Sequence, residues 1–510
     1  MGIPLPDQPS GGRSQFPPIG DYGFLSDCEA TALVAPDGGI EWLCLPRMDS
    51  PSVFGAILDR DAGSFRINPA GVEVPAARRY IPGTMVLETS WWTPGGWLVV
   101  TEPLEEAAAR SPGPPTTGST GWTAAGFPDH PWRSFLQRSA LTLKGLTFAP
   151  TGAVVAAATT SLPETPGGVR NWDYRYTWIR DTAATLWALY ALGFDWEAND
   201  FFHFVADVAE AESGHLQIMY GVDGERALQE STLDHLSGYD DARPVRIGNA
   251  AYTQRQHDVW GGVVGAIDLY TRYTRAHERV DDRLWAIVQT QVQRALEHWR
   301  EPDQGIWEVR SEPQHFTFSK VACWVAADAG ARLAEGRGEK KLAAQWRTAA
   351  EEIRADVLAR AVDERGVFTQ RYGGKALDAS VLLIPLFRFL PPDDERVRNT
   401  VLAIADELTE DEMVLRYRVD ETEDGLTGEE GTFTICSFWL VSALVQIGEL
   451  ARARALCEKL LSYASPLQLY AEEIDPPTGR QLGNFPQAFT HLALITAVTA
   501  VIRAERARPR

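Results

Sequence analysis

No stretch of this chain reaches the roughly 18 consecutive apolar residues needed to cross a bilayer. Met1 to Gly20 hold Pro and Gly but no basic region followed by an apolar core, so a secretory leader is not read there. Cysteine is scarce. Cys28, Cys44, Cys323, Cys436 and Cys457 are odd in number, include no Cys-x-x-Cys pair and lie mostly in apolar runs. This argues against a disulfide framework and a zinc site, and for buried free thiols in a reducing, cytoplasmic setting. The 9 histidines show no His-Glu-x-x-His or other ligand spacing, and there is neither a Gly-x-Ser-x-Gly elbow nor a Gly-x-x-x-x-Gly-Lys phosphate loop. No metal and no cofactor are expected. Positive charge is short as well: 48 Lys and Arg against 69 Asp and Glu give a formal charge of -21, without a basic run. That surface repels nucleic acid and anionic membranes and suits a neutral or cationic ligand. Nothing in the sequence fixes an oligomeric state.

What is present is a globular chain of 510 residues, 45% hydrophobic and 23% charged, long enough for a large domain and a smaller one. Its first part reads as strands. Ala32-Leu33-Val34 and Ile40 to Leu45 flank Pro36-Asp37-Gly38-Gly39, and Trp91-Trp92 and Trp97 to Val100 flank Pro94-Gly95-Gly96, both turn signals. Ser111 to Pro131 has the Pro, Gly, Ser and Thr content of a linker. The expected organisation is an arm over 1–20, a β domain with its linker over 21–131, and a helical domain over 132–510.

From about Asp181 apolar residues recur at helical spacing, in 181–193, 252–272, 281–299, 317–334, 340–361, 433–447 and 484–503, with weaker candidates at 197–212, 377–388, 395–408 and 449–463. About a dozen helices with long, unequal connectors could form an open solenoid or a closed double ring of six inner and six outer helices. No consensus repeat is present, and the irregular connectors favour closure.

The connectors carry the chemistry. The segment RNWDYRYTWIRD, Arg170 to Asp181, places an Arg-Asp pair among Tyr and Trp, suited to holding sugar hydroxyls under an aromatic face, although Asp181 could equally cap a helix. Glu308 follows Trp307 in Gly305 to Arg310. An apolar neighbour there would favour the neutral carboxyl that a general acid needs, whereas a lone loop glutamate is ordinarily just solvated. Glu472 and Glu473 lie together in a second connector, where one carboxylate could activate water or the pair could be an acidic turn. Two carboxylates in unequal settings are the minimum set for hydrolysing a glycosidic bond, and their joint presence with the aromatic segment supports that chemistry. Gly425 to Thr432 could border a pocket or be a plain loop; Arg416 and Arg418 flank Tyr417 just ahead of it. Seventeen tryptophans suit a carbohydrate cleft, though most tryptophans belong to cores.

With these motifs in order, the sequence resembles the glucoamylase family of inverting glycoside hydrolases, family fifteen, and its bacterial glucoamylase-like and trehalase-like branch. The resemblance rests on Ile19 to Pro51, RNWDYRYTWIRD, GIWEVR, YGGKALDAS at 372–380, EEGTFTICSFWLV at 429–441 and Ala471 to Leu494. It implies a mostly α protein, an (α/α)6 barrel catalytic domain behind a small β-sandwich-like domain. The β domain is expected to be truncated here, because only the linker separates Val100 from Leu141 where relatives have further strands. Carried over by motif, Glu308 matches the general acid and Glu472 the general base. Arg180 and Asp181 match residues holding the terminal glucose, Tyr174 a tyrosine supporting the nucleophilic water, and Trp178 and Trp307 pocket walls. Arg416, with Arg418 as the competing alignment, matches an arginine on the same sugar. The implied activity is inverting release of β-glucose from a terminal α-glucosidic bond of trehalose, isomaltose-type or maltose-type saccharides. A disaccharide phosphorylase on a similar barrel, or a noncatalytic carbohydrate-binding protein, are the alternatives.

Overall fold

Both turn signals make hairpins in the computed structural model, which describes residues 16–104 and 127–507 apart from 73, 182–187, 189–191, 193–194, 212–213, 274–279 and 429. The arm expected before residue 16, most of the linker and most of the helix expected at 181–193 lie outside the described residues. Strands β1 (Gly23–Ser26), β2 (Thr31–Val34), β3 (Gly39–Cys44) and β4 (Ser52–Phe54) form an antiparallel meander, with β5 (Phe65–Arg66) also paired to β3. Strands β6 (Ala77–Tyr80), β7 (Leu87–Thr93) and β8 (Gly96–Glu102) form a second antiparallel sheet. Gly38, at φ 81°, turns the β2–β3 hairpin where a side chain would press on the Trp91 ring and the Ile67 carbonyl. Tyr80 ties the sheets together, its hydroxyl accepting from Phe24 N at 2.8 Å and donating to Phe24 O at 2.7 Å. Among the described residues Trp92, Trp97 and Val99 are exposed on the outer face of the second sheet, beside the Arg79–Glu88 ion pair.

The helices are α1 (Arg133–Gly145), α2 (Asp195–Ala211), α3 (Asp258–Tyr273), α4 (Asp282–His298), α5 (Thr317–Gly336), α6 (Lys340–Arg360), α7 (Leu383–Leu386, after a 3-10 turn at Ala379–Leu382), α8 (Glu395–Glu407), α9 (Thr434–Gln446), α10 (Leu450–Ser462) and α11 (Ala488–Ala507). Helices α3, α5, α7, α9 and α11 pack in succession, α3 on α5, α5 on α7, α7 on α9 and α9 on α11. Residues 179–181, 188 and 192 are also helical. Outer helices lie behind that succession, α4 on α3, α6 on α5, α8 and α10 on α9, α1 on α11. The closed double ring is the (α/α)6 barrel.

Residue character explains which helix goes where. On α9 every residue from Thr434 to Leu444 is buried, as a helix walled on all sides requires, while α8 buries one stripe through Val397, Val401 and Ile404. Helix α11 is long and apolar enough to cross a membrane by length and composition, yet most of it is buried against α1, α9 and α10. Helix α1 has no counterpart in the sequence expectation. Its core face carries Arg138, Ser139 and Thr142, which blur the apolar period; Arg138 lies over the Tyr80 ring at 3.5 Å, and Ser139 Oγ meets His491 Nδ1 at 3.0 Å. Four of the five cysteines are buried, Cys28 is half-buried, and none forms a disulfide.

Trp346 on α6 is buried against Trp285, ring centroids 5.8 Å apart, where Gly330 leaves room for it. Trp346→Ala is expected to cost about 3–5 kcal/mol through lost burial and a cavity, read as a lowered denaturant midpoint with kcat unchanged.

Candidate active site

In the segment that the sequence marks most strongly, Asp173 makes an isolated bridge to Thr160 and Thr177–Trp178 form a short strand. Arg170, Trp172, Tyr174, Trp178 and Arg180 line a cavity at one end of the barrel, while Asp173 and Arg175 between them are buried behind it. Asp173 receives Arg175 Nε at 2.9 Å and Nη2 at 2.7 Å, and Arg175 Nη1 donates to Ser50 O at 2.8 Å, which fixes the segment to the β domain. Thr177–Trp178 then pair with Met219–Tyr220. The helical residues begin only at 179, so Arg180 and Asp181 stand at a strand-to-helix junction facing the cavity.

Two glutamates reach this cavity from distant connectors. Glu308 sits at φ 60° in the turn opened by Gly305, whose missing side chain makes room for Phe316: a Cβ on that glycine would lie 2.7 Å from the ring. A left-handed glutamate costs of order 1–3 kcal/mol and is the kind of strain found at functional sites. Gln254 Nε2 anchors the turn through Glu308 O at 3.1 Å and Val309 O at 3.2 Å. Glu472 stands just before a strand, Glu473–Asp475, that pairs with Thr432–Phe433 and Arg480–Leu482. A Cβ on Gly483, itself at φ 76°, would lie 2.7 Å from both Cβ and Oε2 of Glu472.

The aromatic segment connects the two. Trp178 Nε1 donates to Glu308 Oε1 at 2.6 Å, Tyr174 OH donates to Glu472 Oε1 at 2.8 Å, and the two rings meet edge to face with centroids 5.6 Å apart. Trp307 also lines the cavity, but its Nε1 donates to both oxygens of Asp378 at 3.0 Å and its ring packs on Phe433 and Trp439. The groups that reach the Glu308 carboxylate are instead Trp178 and Arg180, whose Nη2 is 3.8 Å away, so the setting is more polar than Trp307 alone suggests.

Electrostatics differ between the walls. On the Glu308 side Arg180 holds Asp181 Oδ1 at 2.8 Å, Asp258 Oδ2 at 3.1 Å, Gln256 Oε1 at 3.0 Å and the Ile306 carbonyl at 3.1 Å. Burial pushes the Asp181 carboxyl up to about 7 against the pull of Arg180. On the Glu472 side Arg416 binds Glu164 Oε2 at 2.9 Å, Glu430 Oε2 at 3.0 Å and Glu473 Oε1 at 3.4 Å. Arg170 pairs with Glu430 and, at 2.9 Å, with Asp424. Burial raises the Glu472 carboxyl above the usual carboxylate range, and Glu164 adds to this while Arg416 and Tyr174 oppose it.

All eight candidate residues therefore border one cavity of about 770 Å³, its open mouth included: Glu308, Glu472, Tyr174, Trp178, Arg180, Asp181, Trp307 and Arg416. Arg418 lies outside it and donates to Glu407 O at 2.5 Å, so the geometry separates it from Arg416. Leu426 and Glu430 bring the 425–432 loop to the rim, while Glu429 lies outside the described residues. Sequence reasoning missed Glu164, Gln254, Gln256 and Asp258. The last three share one polar run that leads into α3, a signal of the same kind as the Arg-Asp pair; Glu164, between two prolines, carries no such signal.

Comparison with known proteins decides the family. Residues 130–499 match the profile of Glycosyl hydrolases family 15. The chain belongs to that family. It is a glycoside hydrolase of family 15, and residues 11–121 match the profile described as Trehalase-like, N-terminal. A trehalase of Mycolicibacterium smegmatis is 54% identical to this family 15 chain over 620 residues, covering 97% of this chain and 92% of the relative. Since this chain has 510 residues, that relative carries more than a hundred without a counterpart here. A trehalase of Thermoplasma volcanium is 33% identical, covering 94% of this chain and 93% of its own. Among solved structures, a bacterial glucoamylase complexed with acarbose aligns with TM-score 0.61 at 15% identity, over 76% of this chain and 58% of that one. A wild-type glycosidase aligns with TM-score 0.56 at 21% identity, over 72% and 96%. At these identities the two structures bear on the fold.

Gly483→Ala would strain the backbone and displace Glu472. We expect kcat to fall by roughly tenfold to a hundredfold with KM little changed, measured by steady-state kinetics of glycoside hydrolysis.

Proposed function

We propose that this enzyme hydrolyses trehalose, the α,α-1,1-linked disaccharide of glucose, with inversion at the attacked carbon. The observation that carries the reading is the pair of glutamates held on one cavity by hydrogen bonds to the two touching rings of Tyr174 and Trp178. The trehalases named above, similar over nearly the whole chain, support the choice of substrate.

In this reading Arg180 and Asp181 hold hydroxyls of the terminal glucose, with Arg416 contacting the same sugar from the other wall. Trp178 and Trp307 give that glucose apolar walls. Glu308 keeps Oε1 on the Trp178 indole and presents Oε2 to the glycosidic oxygen. Glu472, steadied by Tyr174 OH, takes a proton from water as the water oxygen bonds to the anomeric carbon. The bond to the leaving oxygen breaks as Glu308 protonates it. Such a single displacement requires the two carboxyl groups to stand roughly 6.5–9.5 Å apart, with water between Glu472 and the sugar. The buried thiols suit a reducing compartment, and we place the action in the cytoplasm.

Inversion at one carbon of trehalose releases one β-glucose from the attacked ring and one α-glucose as leaving group. Proton NMR at early turnover is expected to show the two anomers in equal amounts; α-glucose alone contradicts inversion. Turnover that needs inorganic phosphate moves the reading to a phosphorylase. Glu308→Gln and Glu472→Gln are each expected to lower kcat on trehalose by roughly 10²- to 10⁴-fold. Near wild-type rates in either remove that residue from its role. Glu472 must be ionised to act, and its carboxyl is raised, so activity is lost as pH falls through that raised value. The acid limb of kcat/KM is expected clearly above the ordinary glutamate value of about 4.3.

A further inference from the structure

Glu164 has no part in the mechanism so far, yet it is fully buried in the wall that carries Glu472. It lines the same cavity, gives Oε2 to Arg416 at 2.9 Å, and leaves Oε1 buried without a hydrogen-bond partner among the described residues. Glu472 Oε2 is likewise buried, with only the Asn484 backbone N–H nearby, so two carboxylate oxygens short of donors sit in one wall. The charges around them do not balance. Arg170 and Arg416 face Glu164, Asp424, Glu430, Glu472 and Glu473. Asp424 and Glu430 are satisfied by Arg170 and by the Tyr417 hydroxyl at 2.9 and 3.3 Å. Arg416, which also donates to Glu430 Oε2 at 3.0 Å, is the one guanidinium that Glu164 shares with Glu473 beside Glu472, so an excess of negative charge stays around the water-activating carboxylate.

We infer that Glu164 is a positioning residue for hydrolysis, a carboxylate that lines the same wall as Glu472, shares Arg416 with its neighbour Glu473, and makes Glu472 a stronger base. The inference rests on the reading of Glu472 as the base. The groups facing Glu472 are Tyr174 OH from the aromatic segment, the nearby Asn484 backbone N–H, Arg416, Glu473 beside it, and Glu164. Tyr174 stabilises the carboxylate by hydrogen bonding, the Asn484 N–H adds its dipole, and Arg416 adds its charge. Behind burial itself, Glu164 is the leading influence that favours a proton on Glu472. A carboxylate so placed abstracts a proton from water more readily, at the cost of being protonated at higher pH.

Glu164→Gln removes the charge but keeps an oxygen for Arg416. The acid limb of kcat/KM on trehalose is expected to move down by about one pH unit, with the plateau kcat reduced several-fold and KM within about twofold of wild type. Glu164→Asp keeps the charge one methylene farther back and is expected to give a smaller downward shift; it carries the test if the glutamine variant does not fold. An acid limb unmoved in the folded variants overturns the inference, as does a change confined to KM, which would make Glu164 a substrate contact or an anchor for Arg416. A Glu472→Gln variant run alongside separates the two ideas. If it is inactive while the limb of the Glu164 variants stays put, only the role of Glu164 fails; if it is active, the base assignment itself fails.

Discussion

The site depends on one constraint: the segment from Arg170 to Trp178 is clamped from behind so that Arg170, Trp172, Tyr174 and Trp178 face the cavity. The Asp173–Arg175 pair, buried and bidentate, fastens the segment to the β domain through Ser50. Arg170, Trp172, Tyr174 and Trp178 are thereby committed to the cavity. Two of them then hold the glutamates, so one short segment sets the places of groups 164 positions apart in sequence. Ionic pairs buried this way contribute little net stability, because desolvation offsets their attraction, but breaking one leaves an uncompensated charge. The segment is therefore held in one arrangement more than it is stabilised.

The barrel supplies the convergence. Helices α5 and α9 are walled by protein along most of their length, and the connectors ahead of them meet at one rim. The two walls that result are unequal. One guanidinium, Arg180, meets Asp181, Asp258 and Glu308, whereas two, Arg170 and Arg416, share Glu164, Asp424, Glu430 and Glu473.

Much of the fold was legible because its signals are local. The Pro36 to Gly39 and Pro94 to Gly96 turns and the helical periods at 317–334 and 340–361 became the elements they suggested. Helix α1 was not legible, because Arg138 and Ser139 occupy its core face and find partners only in the folded state, Tyr80 and His491. The exposed face carrying Trp92, Trp97 and Val99 was hidden for the opposite reason, since residues of those types ordinarily read as core. The cavity gathers all eight residues singled out by pattern and resemblance, but the sequence could not show that Trp307 spends its indole N–H on Asp378. Nor could it show Glu164, whose significance comes from an arginine 252 positions away.

The division of labour between the glutamates is tested most directly with a substrate whose leaving group needs no proton. On α-glucosyl fluoride, Glu308→Ala is predicted to turn over within about tenfold of the wild-type rate while remaining inactive on trehalose, and Glu472→Ala to be inactive on both. The reverse pattern, or equal losses for both variants on the fluoride, would contradict the assignment of donor and acceptor.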